Sequence, residues 1–358
     1  MNEASTEICE GLAGPLDGRT FLDGTVADWR ARVGGADLVA PPAVLWSGKA
    51  ASAVRKAGTG ARYVPRMRLL PPIRAVTDAP CWLAVGSARE AETWPEREID
   101  AEEREIPGNA LPSGPLVVAD AWILPVGHWT QLLWANLLAL GPYLWASLIG
   151  NGPAAIGRLG WAAVRAASTA PEDIASKLNR LGTGARIHRS ATVEGCVLGA
   201  RARVGAGAVV RGAVLGDDAV VEDLAMVEGT VIGRGARVQR LAMAKFSVIE
   251  EEAAFAGIMQ LGVVGRKASV KHAATLMDMT LGQEVRVRVG DRLVPAPHGL
   301  CGVCVGDGAI LASGVRVAPG RAIPPGLEVL LDPDSILTRV DAEATGRVVI
   351  RGGRAVPA

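Results

Sequence analysis

The feature that most restricts the fold is a six-residue period of aliphatic side chains in the second half of the chain. Steps of six, six and five residues recur, and a small residue lies two places before each aliphatic one. The aliphatic series is Ile187, Val193, Leu198, Val204, Val210, Leu215, Val221, Val227, Ile232, Val238 and Ile249, with Ala244 filling its one gap. Neither a helix nor a strand pair has a period of six, so the pattern predicts triangular coils of three short strands with the aliphatic side chains inside.

The period returns twice after Ile249. It is found at Ile258, Val264, Val270 and Leu276, and again at Val305, Leu311, Val317, Ile323 and Val329. The interruption predicts an arm over residues 277–300 that leaves the stacked coils, which we call the prism. Residues 284–289 alternate in the manner of a strand, and Gly290-Asp291 is typical of a tight turn.

These registers resemble the hexapeptide-repeat proteins, whose fold is a left-handed parallel β-helix, and the resemblance covers residues 185–332. The order of segments is also similar: coils, Leu-Gly-Val-Val-Gly at 261–265, the arm, then 303–308 and 323–326. The nearest likeness is to the acetyltransferase part of N-acetylglucosamine-1-phosphate uridylyltransferase-like enzymes and to related sugar-1-phosphate nucleotidylyltransferases. The resemblance implies a homotrimer, acyl-CoA (such as acetyl-CoA) as co-substrate, and transfer of the acyl group to a sugar or sugar phosphate. The alternative is a catalytically inactive scaffold that retains only oligomerisation.

The chain is therefore predicted to have an α/β N-terminal module followed by an all-β, left-handed parallel β-helix domain. Residues 1–120 are interpreted as a degenerate nucleotidylyltransferase-like module or an unrelated α/β module, in which Asp17-Gly-Arg-Thr20 is a weak phosphate-loop candidate. Residues 121–182 form apolar, Trp-rich linker helices, the last of them predicted from Pro171 to Gly182. The β-helix occupies 183–332 with its arm at 277–300, and 333–358 is a C-terminal tail.

Acyl transfer requires a base that takes the proton of the attacking group. In the resembling enzymes a His shortly before the Leu-Gly segment is that base, and alignment on Val264-Gly265 puts Phe255 in its place. A phenyl ring accepts no proton, so His272, beside the predicted arm, becomes the candidate base. Lys271, His298 and Ser269 are the candidate substrate-binding residues.

The cysteines do not indicate a metal centre. Cys301 and Cys304 form a single C-x-x-C without a second pair of ligands, whereas a zinc site needs three or four, so no metal is expected. Cys196 is predicted to fill a small inward position of the prism.

Charge and hydropathy restrict the partners. Lys and Arg number 38 against 37 Asp and Glu, a net charge of +1, which argues against a nucleic-acid binder. Residues 121–150 are apolar and are interpreted as a buried linker or oligomer contact, a peripheral membrane contact, or a membrane span. Gly141-Pro142 is expected to break a helix there. Five scattered Cys and the absence of an N-terminal signal pattern favour the cytoplasm, with peripheral membrane contact as an alternative.

Overall fold

A computed structural model describes residues 9–66, 73–77, 79–100, 103–111, 114–150, 152–280, 282–340 and 345–357. Within these residues the second half forms a prism of three parallel sheets with eight, eight and seven strands. Each strand pairs with the strand one coil later, as Val204 does with Val221, so the backbone hydrogen bonds run along the prism axis. This confirms the left-handed parallel β-helix preceded by an α/β region.

The three sheets are made of very short strands. Sheet 1 contains Arg180–Leu181, Val197–Leu198, Val214–Leu215, Val231–Ile232, Val248–Ile249, Val263–Val264, Cys304–Val305 and Ala322–Ile323. Sheet 2 contains Arg186–Ile187, Arg203–Val204, Val220–Val221, Arg237–Val238, Ala254–Phe255, Ser269–Val270, Ile310–Leu311 and Glu328–Val329. Sheet 3 contains Thr192–Glu194, Val209–Arg211, Met226–Glu228, Met243–Lys245, Ile258–Gln260, Thr275–Leu276 and Arg316–Val317.

The predicted inward register is confirmed except at one position. Val210, Val221 and Val264 are fully buried inside the prism, and Cys196 fills an inward position as expected. Ile258, however, points outward and is 49% exposed, while the next residue, Met259, is buried in the prism. The prediction for Ile258 was wrong because the coil that contains it is two residues shorter than its neighbours, which shifts the register by one.

Sheet 1 is apolar on both of its faces. Leu215 and Ile232 point into the prism, whereas their neighbours Val214 and Val231 point outward and are equally buried. The outward residues pack against the N-terminal lobe and against the helix Trp129–Leu148, which we call the central helix. A sheet covered on both sides carries apolar residues at both registers. Sheet 1 is therefore the face by which the prism holds the rest of the chain.

The central helix is a buried linker over most of its length. Trp129, Leu132 and Leu138 are fully buried, and Asn136 accepts a hydrogen bond from the Leu22 N–H (3.0 Å) and donates one to the Thr20 carbonyl (3.3 Å). These bonds satisfy a polar side chain that would be costly in hydrocarbon.

Gly141-Pro142 was expected to break the central helix, but it does not. The helix continues through Pro142 to Leu148, and the chain bends by 84° only before the next helix, Pro153–Ala166. Pro142 lies on an exposed stretch, and the helix continues although the carbonyl four residues earlier, that of Leu138, loses its N–H partner. Within the described residues no single helix has the length and hydropathy of a membrane span, although this bent pair meets both criteria together.

The connection into the prism is shorter than predicted. The helix that begins at Pro171 ends at Ala175, not at Gly182, because the first prism strand already starts at Arg180. Asn179 supports this start: its Oδ1 accepts from the Cys196 N–H (2.9 Å) and its Nδ2 donates to the Val193 carbonyl (2.7 Å).

The N-terminal lobe consists of short helices and strand pairs. The helices are Val26–Val33, Gly48–Ala57 and Ala88–Ala91. The described strands pair only in twos: Thr20–Phe21 with Gly24–Thr25, Leu38–Val39 with Ala84–Val85, Val44–Trp46 with Ile123–Pro125, Arg62–Arg66 with Glu96–Asp100, and Glu103–Leu111 with Gly114–Ala119. Of these described pairs, only Arg62–Arg66 with Glu96–Asp100 is parallel.

The arm and the tail are both hairpins. In the arm, Arg286–Val289 pairs with Arg292–Pro295, and Gly290 begins the predicted two-residue turn with φ of +54°. Val287 of the arm is buried in the same core as the central helix. In the tail, Val348–Arg351 pairs with Arg354–Pro357. The arm therefore folds back onto the sheet 1 side of the prism.

Candidate functional site

Three of the predicted site residues lie together on one exposed corner of the prism. Ser269 is on the outer face of sheet 2, and Lys271 and His272 form the turn from sheet 2 to sheet 3. Lys271 and His272 are exposed to solvent, and the His272 carbonyl accepts the Gly314 N–H of the next coil (3.1 Å). Since the prism is triangular, this corner is opposite sheet 1 and is not covered by the N-terminal lobe.

The coil before His272 is short at this same corner. From Val238 to Ala244 the chain uses six residues to pass from sheet 2 to sheet 3, but from Phe255 to Met259 it uses four. Gly257 lies tightly against the next coil: a Cβ placed there would be 2.6 Å from the Ala274 carbonyl oxygen.

Two turn residues of each neighbouring coil have no counterpart in the short coil, namely Arg240-Leu241 in the coil before it and His272-Ala273 in the coil after it. Ala256 and Gly257, which make the shortened turn, are buried. His272 therefore lies exposed on the coil that directly follows the shortened turn.

Phe255 is part of the prism interior. It has no exposed surface and continues the inward column of Val238 and Val270. The alignment that puts this position in the place of a catalytic His expects it to face a groove, and the structure does not bear that out. A His at position 255 would be buried among aliphatic side chains without access to a substrate, so we expect no restored activity from Phe255→His.

His298 lies away from His272. It is buried at the end of the arm, with φ of +58°, and its ring meets that of Trp134 of the central helix edge-on at 5.0 Å between centroids. Trp134 packs on the sheet 1 side, so the structure does not bring His298 to the corner of Ser269, Lys271 and His272.

His128 is a structural histidine between the central helix and the arm. Its Nδ1 caps the helix, accepting from the Thr130 N–H (3.3 Å), and its Nε2 lies 3.1 Å from the Arg288 carbonyl. Burial lowers the pKa of His128 to about 4. The ring is therefore neutral near pH 7, with Nε2–H as the donor to the arm.

The outer face of sheet 2 carries a basic groove several coils away from His272. The groove has a volume of about 620 Å³ and includes Arg186, Arg203 and His188 in its wall. Among the side chains that the structure describes, Arg186 and Arg203 have no carboxylate within salt-bridge distance, whereas Arg240 at the groove's edge pairs with Asp223. Two uncompensated guanidinium groups on an open face favour an anionic ligand.

The C-x-x-C cysteines are buried thiols of the core. Burial raises the pKa of both Cys301 and Cys304 well above the usual range, which keeps the thiols protonated. The Cys304 Sγ lies 3.5 Å from the Gly11 carbonyl, at the contact between prism and lobe. No group of three metal-ligating side chains occurs within the described part of the chain.

A buried ionic cluster, which the sequence patterns above do not predict, lies where the lobe meets the prism. Arg19 donates to Glu250 (2.6 Å) and, through both Nη atoms, to Asp307 (2.7 Å each). Arg19 and Glu250 have no exposed side-chain surface. Burial raises the pKa of Glu250 to about 7, although Arg19 and Arg266 oppose the shift. The segment Asp17-Gly-Arg-Thr20 therefore anchors the lobe to the prism, and its arginine is occupied by two carboxylates.

Repeat, pairing and burial together define a left-handed parallel β-helix of the hexapeptide-repeat type with an α/β lobe bound to one face. No protein-family description and no curated protein matches the sequence.

Among solved structures the chain is similar to the UDP-N-acetylglucosamine acyltransferase of Francisella novicida, with 16% identity and a TM-score of 0.14 over 40% of this chain and 56% of that chain. It is also similar to a putative acetyltransferase of Bacillus cereus (13%, TM-score 0.17, covering 42% of this chain and 72% of that one) and to the UDP-N-acetylglucosamine acyltransferase of Campylobacter jejuni (14%, TM-score 0.15, 41% and 69%). The fold assignment rests on the strand pairing of this chain itself.

Proposed function

We propose that the protein is an acyltransferase that moves an acyl group from acyl-CoA to a sugar or sugar phosphate. The observation that carries the proposal is the exposure of His272 on a corner that the N-terminal lobe does not cover, directly after the shortened turn. Lys271 and Ser269 on the same corner supply a cation and a hydroxyl for an acceptor. The basic groove formed around Arg186 and Arg203 suits the phosphates of an anionic substrate.

In this mechanism His272 takes the proton from the acceptor's hydroxyl or amine as that group attacks the thioester carbonyl. The proton then passes to the leaving thiolate, so the same imidazole acts first as base and then as acid. Acyl-CoA supplies the activated carbonyl. Lys271, adjacent in sequence and also exposed, is available to hold a negatively charged part of the acceptor near His272.

The test is the substitution His272→Ala, with free thiol release from acetyl-CoA measured over a panel of amino sugars and sugar phosphates. We expect kcat to fall by about 10²- to 10⁴-fold, the usual contribution of a positioned general base. The melting temperature should stay unchanged because the side chain is outside the prism.

Lys267→Gln is the matched control for this test. Lys267 is an exposed residue of the same coil but lies at the corner between sheets 1 and 2, where its Nζ is 3.7 Å from Glu252. Its substitution should leave kcat nearly unaltered. Equal activity of wild type and His272→Ala would remove His272 from the mechanism.

The alternative, suggested by the sequence alignment of Phe255 with the family's base, is an inactive scaffold. In that case the prism persists for assembly alone. Absence of thiol release from the wild type with every donor and acceptor, together with an intact oligomer, would support the scaffold and contradict the enzyme.

We also propose that the protein is a homotrimer, as the family resemblance implies. Leu241 and Leu224 project from the corner between sheets 2 and 3 and are 69% and 58% exposed, and outward Ile258 continues this apolar strip. Exposed aliphatic side chains in a continuous row are typical of a surface that is covered by another subunit.

Leu241→Asp is expected to reduce the mass in solution from three chains to one, because three carboxylates would enter an apolar contact. Light scattering gives the mass. Leu293→Asp, at an exposed leucine of the arm on the sheet 1 side, should keep the trimer. A wild type that is monomeric at all concentrations would contradict the proposal.

The location and the ancestry of the lobe stay predictions. We propose a cytoplasmic protein, as the scattered cysteines suggest, and a lobe distantly related to sugar-nucleotide nucleotidylyltransferases. Since Arg19 is held by Glu250 and Asp307, the proposal assigns no nucleotide phosphate to the segment 17–20.

A further inference from the structure

The bend between the central helix and the next helix exposes large apolar side chains. Trp145 is half exposed, and Ile156, Trp161 and Val164 of the helix Pro153–Ala166 are 65% to 76% exposed. We call these four residues the apolar ridge. The first part of the central helix is covered by protein, so the membrane contact expected for residues 121–150 can involve only its last turn and the helix that follows.

A basic pocket adjoins the apolar ridge. It has a volume of about 350 Å³ and lies between the two helices and the first prism strand. Its wall contains four cations, namely Arg158, Arg165, Lys177 and Arg180, together with the ring of Trp161. None of the four pairs with a carboxylate among the side chains that the structure describes. Residues 121–170 contain no Asp or Glu at all.

The ridge and the pocket have complementary requirements. Exposed tryptophans beside aliphatic side chains are stable at the boundary between headgroups and acyl chains. Unpaired cations next to that boundary attract anionic headgroups, and the pocket is large enough for a phosphate with its glycerol. One ligand, an anionic phospholipid surface, satisfies the requirements of both the ridge and the pocket.

We propose that this corner docks the protein peripherally on an anionic lipid membrane, with the apolar ridge in the interfacial layer and lipid phosphates in the basic pocket. A second copy of the chain is the less favourable occupant. A two-fold contact through the ridge would bring Arg158 and Arg165 close to the same cations of the other copy, which repel one another. This inference does not depend on the proposed acyl transfer.

The test is co-sedimentation of the full chain with vesicles. Neutral phosphatidylcholine vesicles are compared with vesicles that also contain phosphatidylglycerol, at low and at high salt. We expect binding to the anionic vesicles only, and release by salt because the cations act through screened Coulomb attraction. Equal binding to neutral vesicles, or no binding to either, would overturn the proposal.

Two double variants separate the ridge from the pocket. Arg165→Gln with Lys177→Gln should weaken binding by roughly fivefold per charge, about 25-fold together. Trp145→Ser with Trp161→Ser should weaken it by roughly tenfold or more. Arg316→Gln and Leu330→Ser, which change an exposed cation and an exposed leucine elsewhere on the prism, should bind as the wild type does.

Two further measurements distinguish a lipid surface from the other possible occupants, a small anion and a second copy of the chain. Displacement of the protein from vesicles by millimolar glycerol phosphate or inorganic phosphate, with no effect of the tryptophan substitutions, would make the pocket a small-anion site and overturn the lipid assignment. A smaller mass in solution for the tryptophan variant, without loss of vesicle binding, would assign the ridge to self-association and likewise overturn it.

Discussion

Arg19→Ala is expected to destabilise the docking of the N-terminal lobe by about 3 to 5 kcal/mol. The substitution removes the cation that faces Glu250 and Asp307. The fully buried Glu250 must then either keep an uncompensated charge or take up a proton, and Asp307 loses two hydrogen bonds. All nine tryptophans lie at or before Trp161, so tryptophan fluorescence during urea unfolding reports on the lobe and the helices alone. The fluorescence transition should shift to lower urea.

Arg201→Ala is the matched control. Arg201 also makes a two-bonded contact with one carboxylate, donating to Asp218 at 2.7 and 2.6 Å, but both side chains are about half exposed. An exposed pair of the same geometry is worth less than about 1 kcal/mol. If the two variants lost equal stability, burial of the Arg19 cluster would not be what holds the lobe.

Replacing the whole cluster gives a second check. Arg19→Met combined with Glu250→Leu and Asp307→Asn should recover most of the loss, because a buried ion pair is often no better than an apolar contact of similar volume. Asp307 Oδ1 now accepts a hydrogen bond from the Arg266 backbone N–H (3.1 Å). The side-chain oxygen of the asparagine in Asp307→Asn could still accept this bond.

The cost of Arg19→Ala should also depend on pH. A carboxyl group whose folded pKa is raised contributes stability below its unfolded pKa, and that contribution is lost as the pH rises toward the folded value. For wild-type Glu250 the loss runs from about 4.5 to about 7. Without Arg19 the folded pKa is higher still, so the loss continues above pH 7. The difference between the two proteins should therefore be smaller at pH 5, where the loss of the Arg19–Asp307 bonds remains, and should widen above pH 7.

The prism could be predicted from sequence because each coil repeats the same requirement for residue types at fixed positions. One aliphatic side chain per side must point inward, and a small residue must precede it, so the period is visible without any long-range information. The same logic explains the error at Ile258. A coil with two residues fewer has the same composition as its neighbours, and only the pairing of Met243 with Ile258 reveals which residue lies outside.

The prism carries a second signal in its sequence. Five consecutive strands of sheet 1, from Val197–Leu198 to Val263–Val264, read Val-Leu, Val-Leu, Val-Ile, Val-Ile and Val-Val, whereas those of sheet 2 begin with Arg at three of their first four positions. Two adjacent aliphatic residues on the same side of five successive coils indicate a sheet covered on both faces. This pattern would have placed the lobe and the central helix on sheet 1.

The ionic cluster was harder to predict, although one residue of it departs from the repeat in the sequence. Glu250 occupies a turn position where the neighbouring coils have Gly233 and Gly265, and a bulky acid there requires a partner. The partner is 231 residues away in the chain. The local pattern can indicate that a partner is needed, but only the tertiary contact identifies Arg19.

The candidate site residues also divide into those that local sequence groups correctly and one that only the tertiary fold places. The sequence places Ser269, Lys271 and His272 together because they are neighbours in one strand and its turn. It also groups His298 with them, because 298 ends the arm that begins near His272. The arm folds back against the central helix instead, which carries His298 to Trp134 on the opposite side of the prism.

Val221→Asp is expected to have the largest effect of any single substitution on the prism. Val221 has no exposed surface and lies in the middle of an interior column between Val204 and Val238. An aspartate there either stays charged among aliphatic side chains or takes up a proton and loses its hydrogen bonds to water. We expect a loss of about 4 to 5 kcal/mol or more, at the upper end of what one substitution causes.

Val220→Asp provides the matched control from the same strand. Val220 points outward and pairs with Arg203 and Arg237, so the new carboxylate would face solvent between two guanidinium groups. It should leave stability within about 0.5 kcal/mol of the wild type. Far-UV circular dichroism follows the prism, which contains no tryptophan, and fluorescence follows the lobe separately. Since every coil contacts only its neighbours, Val221→Asp should lower the midpoint of the circular dichroism transition more than that of the fluorescence transition. Equal melting of Val221→Asp and Val220→Asp would mean that the inward register is wrong.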